Sequence, residues 1–321
     1  MLMRHASPTH RTAPTHRPAT ARSHRRLGGA TVLAAGLLLP TLAAGPAQAQ
    51  PDSTPPAPSD HASEQGIDGP GEATMGWSLQ DGTGPAAGAP GQHLGPLGTG
   101  TAIDPAVEAA HGPYGIDTSS HTTVQDWQWF SAVGAEFAWV KATEGDYYTS
   151  PVFSAQYTGA TEQQMVRGAY HFANPAESSG AHQAEFFVAN GGGWSADGRT
   201  LPGALDMEYN PYGPVCYGLD HAQMDAWMRD FVGRYQQLTG VKPVIYTNAD
   251  WWNTCVGRAD YSDVHLWLAR YDATPGTAPW SWSDHGASHT VWQTRPVTDK
   301  GYDVNRFHGD RAALQELAAG R

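Results

Sequence analysis

The stretch LPGALDME, residues 201–208, is an apolar run that closes on two carboxylates, Asp206 and Glu208, two positions apart. Its composition is that of a buried strand. Side chains alternate faces along a strand, so positions i and i+2 project the same way. Asp206 and Glu208 therefore share a face at the C-terminal end of that strand. Two carboxyls so close cannot both ionise easily, and one is expected to hold its proton to higher pH. Acids with separated pKa values are what glycoside hydrolysis requires, one as proton donor and one as base or charge stabiliser. Taken alone, the pair is better explained as a helix cap or a surface pair in an αβ loop.

On both sides of this run, short apolar strands alternate with helical stretches from Pro113 onward. Strands are expected at 114–117, 136–141, 166–172, the run ending at Asp206-Met207-Glu208, and 242–247. Helices are expected near 124–133, 151–163, 181–189, and from an Asp220 cap to about Leu238. Residues 264–270, 290–294 and 301–304 read as three further strands with no helix between them. Repeated strand–helix units imply a parallel sheet. Eight strands suffice to close it into an α/β barrel with its active residues at the C-terminal strand ends. A doubly wound open sheet is the alternative, weakened because no Gly-rich phosphate loop follows the first strand.

On a barrel the polar strand ends converge. Asp117 ends strand one, Lys141 to Glu144 strand two, Tyr170-His171 strand three, and Asp206 with Glu208 strand four. Tyr246, Trp267, Gln293 and Asp303 end the remaining four. Burying four carboxylates together costs free energy unless they are hydrogen-bonded or neutralised, and function is one reason to tolerate that cost. Tyr170, Tyr246, Trp267 and Trp292 offer flat faces for pyranose C–H edges, with Gln293 and Lys141 as hydrogen-bonding partners. An inward aromatic is also ordinary barrel core. Of the adjacent Trp251 and Trp252, one ring is expected buried and one lining the cleft.

The strings GIDTSSH (115–121), KATEG (141–145), RGAYHF (167–172), LPGALDMEYNPYG (201–213), VIYTNADWW (244–252) and YDVNRFHG (302–309) occur in this order. Together they resemble glycoside hydrolase family 25, the lysozymes of the actinomycete and fungal Chalaropsis type, over about residues 114–321. The resemblance implies an irregular TIM-like barrel of five strand–helix units followed by three strands. It also implies hydrolysis of the β-1,4 bond from N-acetylmuramic acid to N-acetylglucosamine in peptidoglycan. It places the general acid on Glu208 and matches Asp206, Asp117 and Asp303 to the other acidic positions. Asp206 would raise the acid's pKa, stabilise positive charge or orient the N-acetyl group, while Asp117 and Asp303 would position water or sugar hydroxyls. Where many relatives carry His after the glutamate, this chain has Tyr209. The close i, i+2 pair leans towards retention with N-acetyl participation. Two competing readings are a chitinase-like barrel hydrolase of amino sugars and a wall-binding module without catalysis.

The rest of the chain sets the context. Arg4, Arg11, Arg17, Arg22, Arg25 and Arg26, an apolar core at 27–40 and Ala47-Gln48-Ala49 make residues 1–49 a secretion signal, too short and Gly/Pro-broken to span a membrane. Without those 49 residues and their six arginines, 272 remain, with 13 basic against 31 acidic groups, a formal charge of −18. That balance excludes the basic footprint of a nucleic-acid binder. Cys216 and Cys255, 39 positions apart, suggest one disulfide in an oxidising compartment, bordering the cleft if they pair. No CxxC or paired-His spacing indicates a metal, and no cofactor is expected. Residues 50–112, rich in Pro, Gly, Ser, Ala and Asp, read as an extended linker or a loosely docked N-terminal arm. Residues 113–321, which hold 11 of the 12 tryptophans, form the catalytic domain. A secreted, extracellular monomer acting on peptidoglycan is expected, with no membrane partner.

Overall fold

The computed structural model describes residues 57–79, 112–123, 126–271 and 274–321. The expected signal, residues 1–49, lies outside them. Nine strands form one sheet: β1 Tyr114–Thr118, β2 Phe137–Glu144, β3 Tyr148–Thr149, β4 Val166–Phe172, β5 Ala204–Asp206, β6 Val244–Thr247, β7 Leu266–Ala269, β8 Val291–Val297 and β9 Tyr302–Phe307. β3 folds back antiparallel on β2, and the other eight close into a barrel because β1 pairs with both β9 and β2. Every pair from β1 through β8 is parallel, whereas β9 runs antiparallel to both its neighbours. This is the irregular TIM-like α/β barrel expected from the sequence.

Of the eight helices among the described residues, six start on a side-chain cap, and those beginning at Phe153 and Trp280 do not. After α1 Asp60–Glu64 come α2 Trp127–Ala132, α3 Phe153–Glu162, α4 Gly180–Phe187 and α5 His221–Thr239. α6 Ala249–Cys255, α7 Trp280–Ser283 and α8 Arg311–Ala318 complete the series. α5 starts on a reciprocal capping box between Asp220 and Gln223 and ends at Gly240, which takes a φ of 86°. Its buried face, Met224, Trp227, Met228, Phe231, Val232 and Tyr235, recurs at helical spacing and stacks on Phe187 of α4 and His171 of β4.

Two expectations about the C-terminal third need correction. The seven-residue α6 follows β6, completing the fifth strand–helix unit that the resemblance implied, whereas the four-residue α7 stands between β7 and β8, where no helix was expected. Both are short enough that Trp, Asn and Ser patterns mask their period. Trp251 and Trp252 are both fully buried, Trp252 against Tyr261 and Trp282, so neither ring lines the cleft. The hydrophobic packing is bipartite: one set fills the barrel and the other lies under the helices. Inside, Phe137, Trp139, Tyr170, Tyr246 and Trp267 pack in one cluster, joined by Leu314 and Leu317 of α8.

Residues 57–79 do not run free of the barrel. They carry α1 and a 3₁₀ turn at Trp77–Leu79, and Ala62, Ile67, Ala73, Met75 and Trp77 are all buried. Ser59 N–H donates to Pro211 O at 2.9 Å, and Trp77 Nε1 to Tyr209 O at 3.2 Å. Of the two expectations, an extended linker and a loosely docked arm, residues 57–79 follow the docked one, because the segment borrows the barrel's apolar surface instead of building its own.

Candidate active site

Strand alternation puts Asp117, Lys141, Tyr170, Asp206, Tyr246, Trp267, Gln293 and Asp303 on the inner face of the barrel, consistent with their mutual contacts. Asp117 and Asp303 stand opposite each other across the antiparallel β1–β9 pair. Gln293 Nε2 donates to Asp117 Oδ2 at 3.0 Å and Asn305 Nδ2 to the same oxygen at 2.7 Å. Burial pushes Asp117 up to about 6 against those two donors. Asp303 is raised well above the ordinary range by burial and by the neighbouring Asp117 charge. Asn305 was not singled out from the sequence, yet it sits two positions from Asp303 and so on the same face, the spacing that marked Asp206 and Glu208.

Asp206 and Glu208 are each 1% exposed. Among the described residues no well-formed hydrogen bond reaches either oxygen of Asp206 or Oε2 of Glu208, although Ser78 and Asp206 lie close enough to Glu208 to oppose its rise. Two ionised carboxyls in that setting would be strongly unfavourable, so the pair is balanced by a proton. Burial pushes Glu208 up to about 8, opposed chiefly by the Gly76 N–H, which donates to Oε1 at 2.7 Å. Asp206 is raised well above its usual value by burial and then by Glu208. Burial also raises the phenols of Tyr170 and Tyr246, which stay neutral donors.

The aromatic and hydrogen-bonding neighbours fall into three groups. Trp267 lies 4.6 Å from Trp139 and 5.2 Å, edge-on, from Tyr246, with its Nε1 donating to Asn305 Oδ1 at 2.7 Å. Tyr246 and Tyr271 both donate to Gln293 Oε1, at 2.6 and 2.9 Å, which turns the Gln293 amide N–H group towards Asp117. Lys141 is fully buried and pairs at 2.6 Å with Glu144, which also accepts from Tyr147 at 3.0 Å and from Tyr212. Trp292 is not part of this assembly. It takes the opposite face of β8 from Gln293, is half-buried, and donates its Nε1 to Arg270 O at 2.7 Å. His171 also faces away, held between Thr143 and Gln183, and burial lowers it to about 3, so it stays neutral.

Cys216 and Cys255 form a disulfide that ties the loop after β5 to the end of α6. Among the described residues no group of three or more His, Cys, Asp or Glu is placed to hold a metal ion, and no helix is long and apolar enough to cross a membrane.

A barrel with four buried acids at its C-terminal rim, two on one strand end, is a glycosidase architecture. Residues 116–301 match the family model described as glycosyl hydrolases family 25. The chain is similar to Lysozyme M1 of Streptomyces globisporus, 39% identical over 298 residues that cover 90% of this chain and 94% of that protein. It is similar to the N,O-diacetylmuramidase of a Chalaropsis species, 43% identical over 64% of this chain and 99% of that one. The solved muramidase of Acremonium alcalophilum superposes with a TM-score of 0.63 at 47% identity, covering 65% of this chain and 100% of that chain. The chain belongs to glycosyl hydrolase family 25.

Proposed function

We infer that this chain hydrolyses the β-1,4 bond from N-acetylmuramic acid to N-acetylglucosamine in peptidoglycan, with Glu208 as general acid. The observation that carries the assignment of the acid is the Asp206–Glu208 pair, buried, short of donors and raised. Glu208, up to about 8, keeps its proton at neutral pH and can give it to the departing glycosidic oxygen. Asp206 is the neighbour that keeps that proton in place before transfer. As positive charge grows at C1, or at the acetamido nitrogen, it stabilises that charge or orients the acetamido group. Asp117, aimed by Gln293 and Asn305, and Asp303 position water or a sugar hydroxyl. Tyr170, Tyr246 and Trp267 present ring faces and neutral donors to the sugars. The protein acts outside the cell as a monomer, exported on residues 1–49, and needs no cofactor.

The test compares purified residues 50–321 with the Glu208→Gln variant on bacterial cell walls over long incubation, reading muropeptides by mass spectrometry after borohydride reduction. Reduced N-acetylmuramic acid ends from the parent and none from the variant are expected. Wall binding without new reducing ends from any folded form of the chain would instead mark a binding module. Asp206 and Glu208 stand two positions apart and close enough for the Glu208 charge to raise Asp206, and a close pair of this kind favours a product that retains its anomeric configuration. An anomeric NMR time course that starts on the inverted anomer would exclude this course.

A further inference from the structure

The segment ahead of the barrel ends where a substrate would have to sit. Gly76 N–H occupies Oε1 of Glu208 at 2.7 Å, the acid's own hydrogen-bonding position. Met75, fully buried, packs in the same cluster as Tyr170, Tyr246 and Trp267, the rings offered to the glycan. Gly71 N–H donates to Glu144 Oε1 at 2.9 Å, while Lys141 Nζ donates to Gly71 O at 3.0 Å and to Ala73 O. A peptide unit and an acetamido group carry the same N–H donor and C=O acceptor, so groups that hold one can hold the other. What remains open beside Asp117 and Asp303 is a cavity of about 230 Å³, walled on one side by Glu72, Thr74 and Met75.

The fit depends on two glycines. Gly76 has a φ of 74°, and a Cβ there would lie 2.0 Å from Tyr271 Oη. Gly71 has a φ of 92°, and a Cβ there would lie 2.1 Å from the Tyr148 ring. Any side chain at either position meets both backbone strain and a hard contact. Residues 80–111 connect the segment to the barrel, and 32 residues reach at most about 110 Å when extended. The segment can therefore leave the cleft while still attached, but its tether keeps it at high effective concentration beside the site.

We propose that residues 71–78 are a built-in occupant of the glycan cleft, held by the substrate-recognition groups, so that the uncut chain is latent and becomes active when this segment leaves. The proposal rests on the muramidase reading of the site. Met75 and the backbone of Gly71, Ala73 and Gly76 take the places of sugar faces and acetamido groups, and Glu208, 1% exposed with the segment in place, has no room for a glycosidic oxygen beside it. Cutting anywhere within residues 80–111 turns tethered rebinding into dilute, bimolecular rebinding, which frees the cleft.

The experiment uses residues 50–321 in three forms: the parent, Gly71→Val/Gly76→Val, and a chain with a specific protease site placed between residues 88 and 98 and cut after folding. Each is assayed on cell walls for new reducing ends, and hydrogen exchange reports whether residues 57–79 remain protected. Expected are at least a tenfold rise in rate for the double variant and for the cut chain after dilution, loss of protection at 57–79, and inhibition when a synthetic 57–79 peptide is returned. Equal rates in all three forms, with protection lost in the variant or the cut chain, would overturn latency and leave the muramidase reading standing. Protection retained in both altered forms would overturn the claim that these glycines and the tether hold the segment in place. No reducing ends from any form would remove the muramidase reading, and latency with it.

Discussion

Glu208 is buried two residues past the end of β5 and meets an amide N–H at one oxygen and the Asp206 acid nearby. Replacing it with Gln keeps shape and the Gly76 contact but removes the proton that must be transferred. The expected result is loss of turnover by about 10²- to 10⁴-fold, measured as reducing ends released from walls. Asn305 acts on Asp117 through the 2.7 Å hydrogen bond. Asn305→Leu removes a donor to the ionised form, which moves Asp117 upward from about 6. If ionised Asp117 positions water or sugar, activity near pH 6 should fall more than activity near pH 8. The acid-side midpoint should move up by about one pH unit. An unshifted profile with a uniformly lower rate would give Asn305 a purely structural role. The paired acids were legible in sequence because a strand's period of two leaves no choice of face. The same reasoning separates Gln293, inside, from Trp292, outside, once β8 has its register.

Among the elements, the Cys216–Cys255 bridge and α8 do different work. The disulfide closes a loop of 39 positions between two segments at the catalytic end of the barrel. Removing it as Cys216→Ser/Cys255→Ser should cost about 4 kcal/mol by the chain-entropy estimate. In a domain of this size that lowers the melting temperature by roughly 10 °C. Under reduction, wall-cleaving activity should fall before far-UV circular dichroism does, since the bridge constrains loops more than strands. α8 instead packs Leu314 and Leu317 in the cluster that fills the barrel. The strand–helix alternation was readable up to β6 because the longer helices there repeat a buried face over two or more turns, as α5 does from its Asp220 cap. Past β6 the period fails: α6 and α7 are seven and four residues long, below the window over which a helical repeat declares itself.

At the scale of the molecule, burial of the acids couples the site to stability. Asp117 titrates near 6 in the fold against 3.8 as a free side chain, and Glu208 near 8 against 4.5. Between those values the folded state binds more protons than the unfolded state, so its stability falls as pH rises. The stabilising contribution is complete below about pH 4, declines from pH 3.8 to 6 for Asp117, and declines from 4.5 to 8 for Glu208. Denaturant midpoints from pH 4 to 8 should therefore drop for the parent, and the drop should be shallower for Glu208→Gln, which should also be the more stable chain at pH 8. A steeper drop in the variant would mean that Glu208 is ionised in the fold.

The sequence by itself determined the strand–helix order as far as β6, the barrel, and the pool of polar strand ends that includes Asp206 and Glu208, because strand alternation and helix capping are local rules. Only the tertiary structure decided which of those ends meet, that Asn305 and Gln293 aim Asp117, that Glu144 neutralises Lys141, and that residues 57–79 pack against the barrel. Composition indicated that this segment lacks a core of its own, which is true of Ala62, Ile67, Ala73, Met75 and Trp77 taken alone. Their burial comes from aromatic residues of the barrel 50 or more positions further along the chain, and contact at that distance leaves no periodic trace in the sequence.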